Sequence, residues 1–271
     1  MTIMNYSIEI ILITLLLSLN IMAQQNAGAR QIALANSDLY SPDVFSIFNN
    51  PARLSNIQNP QAGIYYSPAP FDIQELSYSC ASFSQPTEIG TFSFGSMIYG
   101  FDLYKETEID VGYSGKINKS FGLGCALRYK NISIKNYGSV SIFMVNLGTT
   151  IELSNEIASA IFIENLTHAS LNNEPNQIPT AISIGMTSSN IQNFSLSAAI
   201  RKEIGFNPSV RFGVEHKLLE NFSLRFGVSN EPDLYYTGIG IFYKYLEFDY
   251  TISSHPDLGL THQIDLIFIF P

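Results

Sequence analysis

The 271-residue chain has no tryptophan, only 2 cysteines and 4 histidines, and just 14 lysines and arginines. Each shortage removes a class of function. A net charge of −9 with no basic cluster leaves no phosphate-binding face, so no nucleic-acid partner is expected. His168, His216, His255 and His262 are scattered, and none stands with a nucleophile and an orienting third group. The stretch "HPDLGLTH" matches no standard metal-ligand spacing, so neither catalysis, metal nor cofactor is expected. Charged residues make up 14% of the chain, against roughly 25% in a soluble domain, so the surface is not built mainly for water.

The chain also lacks the roughly 20-residue apolar run that a membrane-spanning helix needs. What it has instead is an apolar core from Ile10 to Ser18, followed by Ile21-Met22-Ala23 and polar Gln24. That is the length and order of a secretory signal peptide. Residues 1–23 are therefore expected to be a cleavable leader. No cysteine lies near the cleavage point, so no lipid anchor is indicated.

From residue 62 onward the hydrophobic period is two. In "FSLRFGVS" Phe222, Leu224, Phe226 and Val228 share one face, and Ser223, Arg225, Gly227 and Ser229 the other. "PSVRFGVEH" and "LEFDYTIS" repeat the pattern, with one face large and apolar and the other small or charged. The pattern predicts strands at 62–68, 73–83, 89–100, 106–115, 120–130, 140–153, 157–167, 180–188, 194–201, 208–217, 222–229, 235–243, 246–253 and 260–270. About 14 strands is an even count, as bacterial outer-membrane barrels prefer.

The connections sharpen this. After even-numbered strands they are tight ("QPTE", "NKS", "SNE", "SNIQN", "LLEN", "KY"), and after odd-numbered ones mostly longer ("GFDLYKE", "NISIKNYGS", "HASLNNEPNQIP"). Short turns on one side and long loops on the other characterise a transmembrane β-barrel whose short side is periplasmic. The last strand, "THQIDLIFIFP", alternates and ends almost on an aromatic residue, like the insertion signal of outer-membrane barrels. The expected fold is all-β, a transmembrane antiparallel barrel over residues 62–271. A secreted or structural β-sandwich or barrel with a binding role is the alternative.

One segment breaks the β pattern. In "LYSPDVFSIFNNPARLS" Ser41 is placed to cap a short helix with Pro42 first, and Val44, Ile47 and Phe48 fall on one face. Asn50, before Pro51, ends it. A barrel of this size has a lumen wider than its own side chains fill. Residues 24–61 are therefore expected to form a small helical hatch inside it.

The stretch "GARQIALANSDLYSPDVFSIFNNPARLS" resembles the N-terminal hatch of FadL-type outer-membrane transporters, and especially of the PorV/PorQ family. Gly28-Ala29-Arg30 occupies the opening of that hatch and Asn50-Pro51-Ala52 its Asn-Pro-Ala motif. "TGIGIFYKYLEFDYTISSHPDLGLTHQIDLIFIF", "VNLGTTIEL" and "IENL" resemble the family's later strands. The resemblance implies an outer-membrane barrel of a Gram-negative bacterium. Its role would be passage of hydrophobic small molecules, or service as an accessory of type IX protein secretion. The partners so implied are outer-membrane lipid, a hydrophobic small molecule in the lumen, or type IX components.

Strand parity places charges inside. Glu108 and Asp110 lie beside Arg128, Arg201, Arg211 and Arg225 line successive strands, and Glu247, Asp249 and Asp265 line the last two. These charges either set a transverse field that positions the hatch or a polar ligand head, or neutralise one another in a plugged lumen. The same parity puts Cys80, in phase with Leu76 and Tyr78, and Cys125 on the outer face, too far apart for a disulfide.

Overall fold

A computed structural model of the protein describes residues 27–170, 178–191 and 193–271. The expected leader, residues 1–23, lies outside the described residues.

Fourteen antiparallel strands close into one barrel in chain order. They are β1 (Gln61–Ser67), β2 (Tyr78–Thr87), β3 (Gly90–Gly100), β4 (Tyr104–Lys116), β5 (Phe121–Ile134), β6 (Gly138–Glu152), β7 (Ile157–Glu164), β8 (Ala181–Ile191), β9 (Phe194–Glu203), β10 (Ser209–Leu219), β11 (Phe222–Ser229), β12 (Leu234–Tyr243), β13 (Leu246–His255) and β14 (Gly259–Ile269). β1 closes the ring against β14, from Gln61 opposite Ile269 to Tyr66 opposite Ile264. Closure leaves no unpaired sheet edge.

The alternation read from the sequence is the alternation of the wall. On β11 Ser223, Arg225 and Gly227 are buried inside, while Phe226 and Val228 stand exposed outside. Large apolar side chains face outward on every strand, from Ile64 on β1 to Phe268 on β14. At the end of the short turns they gather aromatics, with Phe92 against Tyr113 at 5.2 Å and Phe268 against Phe270 at 4.7 Å between ring centroids.

The loops differ from expectation in two places. The connections expected at "GFDLYKE" and "NISIKNYGS" shrink to 101–103 and 135–137, because β4, β5 and β6 run on for 13, 14 and 15 residues. Those extensions alternate and pair as strands do, but carry polar outward residues such as Lys105, Thr107, Asn131 and Ser133. They stand beyond the apolar belt. The strand expected at 73–83 begins only at Tyr78, since Pro70–Asp72 and Gln74–Leu76 form 3-10 turns. Leu76 is therefore no guide to the phase of β2.

Cys80 is not on the outer face but buried within, together with Tyr78, and only Cys125 is exposed outside. Both are free thiols.

Residues 27–57 lie inside the ring. They form a five-residue helix α1 (Ala29–Ala33) and two 3-10 turns, Val44–Ile47 and Pro51–Asn56. The cap of the first turn is Asp43, whose side chain accepts from the Phe45 N–H, rather than Ser41. Asn50 does more than end that turn: its side chain accepts from the Ala52 N–H and so starts the next one. Its backbone is extended, at φ −119° and ψ 99°, as a residue before proline prefers.

Candidate functional site

The lumen is the site, and the hatch touches its wall on nearly every side. At the opening, Gly28 takes a φ of +92° and lies against the Phe45 ring, a conformation and a clearance that suit glycine alone. The Ala29 N–H donates to Asp265 Oδ2 of β14 at 2.6 Å, and the Ala29 carbonyl accepts from Thr251 Oγ1 of β13 at 2.7 Å. Arg30 reaches the opposite wall, with Nη2 2.7 Å from Glu215 Oε2 of β10 and 3.3 Å from Asp38 Oδ2.

The Asn50-Pro51-Ala52 turn sits against β5 and β6. Asn50 Nδ2 donates to the Leu39 carbonyl at 2.8 Å and to the Thr149 carbonyl at 3.3 Å. The wall gives way there by having no side chain. A Cβ on Gly148 would overlap Asn50 Oδ1, and one on Gly124 would overlap the Pro51–Ala52 backbone. Further round, the Ser82 hydroxyl of β2 donates to the Val44 carbonyl at 2.8 Å, and Arg128 Nη2 of β5 donates to the Phe48 carbonyl at 3.2 Å.

Asp38 is the polar hub of the hatch. Its Oδ1 accepts from the Tyr40 and Ser41 N–H groups at 3.1 and 3.0 Å and from Thr187 Oγ1 of β8 at 3.0 Å. Burial alone would raise this carboxyl, but Arg30 and Arg53 beside it, with the Ser41 hydrogen bonds, hold it well below the usual carboxylate range. Arg53 is itself buried and donates from Nε to the Ser41 carbonyl at 2.6 Å.

The wall charges fall into local groups. Arg128 lies 3.3 Å from Glu108 and 2.9 Å from Asp110, and Lys130 lies 2.6 Å from Glu106 and 2.9 Å from Glu108. Arg201 takes Glu164 at 2.7 Å and Glu203 at 2.6 Å. Arg225, fully buried, meets Glu215 at 2.6 Å, Glu247 at 3.7 Å, and Asp249 directly. Arg211 is buried with its Nε 3.4 Å from the Ser209 hydroxyl. Asp265 stands in register with Asp249 across the β13–β14 pair and takes the Ala29 amide, with no side-chain cation on it among the described residues. Such neutralisation is what buried charges require. The reading from sequence did not single out Glu215 and Glu164, although their inward parity marks both.

One sector is mainly an apolar cluster, with Asp265 in register with Tyr65 and Glu108 with Met97 at its edges. Tyr65 of β1, Tyr78 and Cys80 of β2, Met97 of β3 and Ile267 of β14 pack inward against Val44, Phe45 and Ile57 of the hatch. Tyr65 meets Phe45 edge-on at 6.4 Å and Tyr78 at 5.5 Å. On the other side of this wall lies a largely apolar depression of about 610 Å³, bordered by Ile64, Tyr66, Ile98, Phe248, Ile264 and Leu266 and floored by the small Ser79, Ala81 and Ser96, with Tyr65, Cys80 and Asp265 of the wall also lining it. Inside and outside, this is the wall's apolar stretch. Period alone does not reveal it, because the 3-10 turns before Tyr78 break the phase of β2.

No protein-family model and no curated protein matches the chain. Solved structures do. The toluene transporter TbuX of Ralstonia pickettii superimposes with a TM-score of 0.67 at 10% identity, over 93% of this chain and all of that one. A FadL homologue of Pseudomonas aeruginosa gives 0.67 at 11%, over 90% of this chain and 98% of that one. The toluene transporter TodX of Pseudomonas putida gives 0.65 at 12%, over 91% and 99%. At such identities the likeness is one of fold: a closed 14-stranded barrel of the FadL type, built from an almost unrelated sequence.

Proposed function

We propose that the protein is an outer-membrane channel for hydrophobic small molecules, with residues 27–57 as its hatch. The observation that carries this reading is the apolar sector of the lumen around Tyr65, Tyr78, Cys80 and Met97, which backs onto the apolar depression outside. A nonpolar solute in that sector meets mainly aromatic and apolar side chains, with the Asp265 carboxylate at its edge taken by the Ala29 N–H, and one strand layer separates it from lipid. The outward belt of large apolar side chains supports a bilayer location, and the barrel's likeness to toluene transporters supports the solute class. No described helix is long and apolar enough to cross a membrane, which bears only on helices. Export by the N-terminal leader and an outer membrane of a Gram-negative bacterium complete the reading. The short turns then face the periplasm. Membership of PorV/PorQ and a role in type IX secretion rest on the sequence resemblance alone, at Gly28-Ala29-Arg30, at Asn50-Pro51-Ala52 and along the later strands.

The test is uptake by proteoliposomes. The full chain should admit a radiolabelled monoaromatic hydrocarbon and exclude a sugar of similar mass, and deletion of residues 28–56 should abolish that discrimination while raising ion conductance in planar bilayers. Equal permeability to both solutes in the intact protein would overturn the reading. Unchanged conductance after the deletion would show that residues 28–56 do not plug the lumen.

A further inference from the structure

On the long-loop rim, outside the barrel, the β3–β4 and β5–β6 connections enclose a cleft of about 510 Å³ lined by Ile98, Gly100, Phe101, Asp102, Lys105, Ser133 and Lys135. Its floor is apolar Ile98, at the top of the outward belt, and its upper walls are polar. Lys105 is in phase with Ile109 and Val111 of β4, so its stem rises from the same outer face that those side chains present to lipid. Its neighbours in the sheet are Gly100 and Ser133, which leave space beside it. Lys135 stands in the hairpin turn above, its N–H donating to the Leu103 carbonyl at 3.0 Å.

The two lysines stand together without a carboxylate partner among the described residues. Inward-facing Lys130 is committed to Glu106 and Glu108, and Lys116, at the other end of the barrel, lies near Glu152. Among the described residues neither Lys105 nor Lys135 has an ion pair, and Asp102 is the cleft's only acid, so two cations stand against one anion. The Ser133 hydroxyl and the exposed Phe101 and Leu103 of the connection complete a surface with cations and apolar groups at the rim and apolar Ile98 below them.

We infer that this cleft holds the phosphate of an anionic glycolipid of the outer leaflet, with Lys105 and Lys135 on the phosphate and the acyl chains running down over Ile98. The inference rests on the outer-membrane reading, which puts the long-loop rim at the outer leaflet. A basic pair at the edge of an apolar belt attracts an anionic headgroup while the belt takes the chains.

Native mass spectrometry of the detergent-solubilised full chain with lipid A tests it. The wild type should retain bis-phosphorylated lipid A and not its dephosphorylated form. The Lys105→Gln/Lys135→Gln variant should retain it roughly thirtyfold less, about fivefold per lysine, the pull of one basic residue on an anionic lipid surface. Lys105→Arg/Lys135→Arg keeps both charges and should restore retention. Heat-modifiable migration on gels reports that each variant is a folded barrel. Equal retention by wild type and the Gln variant, or equal retention of both lipid forms, overturns the assignment. Displacement by equimolar inorganic pyrophosphate overturns the lipid in favour of a free phosphate. If the wild type keeps its heat-modifiable migration but binds no lipid A, the inference fails alone; if that migration is lost, the membrane reading fails with it.

Discussion

Arg30 of the hatch and Glu215 of β10 meet at 2.7 Å, while Glu215 also holds Arg225 at 2.6 Å, so one wall carboxylate ties the plug to the ion-pair network of the barrel. Both its partners are charged and buried or nearly so. Glu215→Gln would leave Arg30 with Asp38 and Arg225 with Asp249 and Glu247, removing the only charge link between α1 and β10. The expected outcome is a barrel that still assembles, with higher and noisier conductance in planar bilayers. Arg225→Ala should be harsher, costing about 3–5 kcal/mol, because it strands Asp249 and Glu247 in the lumen while Glu215 keeps Arg30.

The second expected outcome concerns Gly148. A methyl there overlaps Asn50 Oδ1, and the Asn50 side chain cannot retreat without losing its bonds to the Leu39 and Thr149 carbonyls. Gly148→Ala should cost about 1–3 kcal/mol as overpacking and should unseat the Asn50-Pro51-Ala52 turn. Limited proteolysis of the folded barrel reads it: cleavage between residues 50 and 57 should rise in the variant. Cleavage as slow as in the wild type would mean that the turn is seated by other contacts.

For the outer face, Phe226 is exposed in mid-strand on β11. Phe226→Arg should cost roughly 2–4 kcal/mol if it lies at the bilayer midplane, and Phe226→Leu much less. Urea unfolding in lipid vesicles measures the difference. Equal costs would remove the membrane from the account of this face.

Acid should loosen the hatch through Asp38. Its folded value lies below the ordinary 3.8 because Arg30, Arg53 and the Ser41 bonds favour the ionised form over the effect of burial. A depressed carboxylate contributes stability that is fully present above the unfolded value and is lost as pH falls through the folded one. Conductance should therefore stay low above pH about 4 and climb below it. Asp38→Asn should raise conductance at neutral pH and flatten that acid-dependent rise.

Period-two alternation, the even number of strands and the closeness of the turns after even strands are local properties, and for that reason they were legible. Side-chain direction reverses at each residue, so "FSLRFGVS" alone tells which of Arg225 and Phe226 faces the lumen. The same parity located Glu108, Asp110 and Arg128, and Glu247, Asp249 and Asp265, on inward positions. Where parity had no proper starting point it failed: the 3-10 turns at 70–76 shifted β2, and Cys80 moved from outside to inside.

What no local pattern could give was pairing across the ring. Arg30 finds Glu215 from 185 positions away, and Asn50 finds Thr149 from 99 away, because ring closure, not chain proximity, brings those strands to the hatch. The sequence also says that Ser223 points inward but not that it is only 2% exposed there. A wide barrel leaves its lumen open or filled according to what enters it. The closed order of strands decides which charges share a carboxylate, and the hatch packed within them decides which part of the lumen wall its apolar side chains cover.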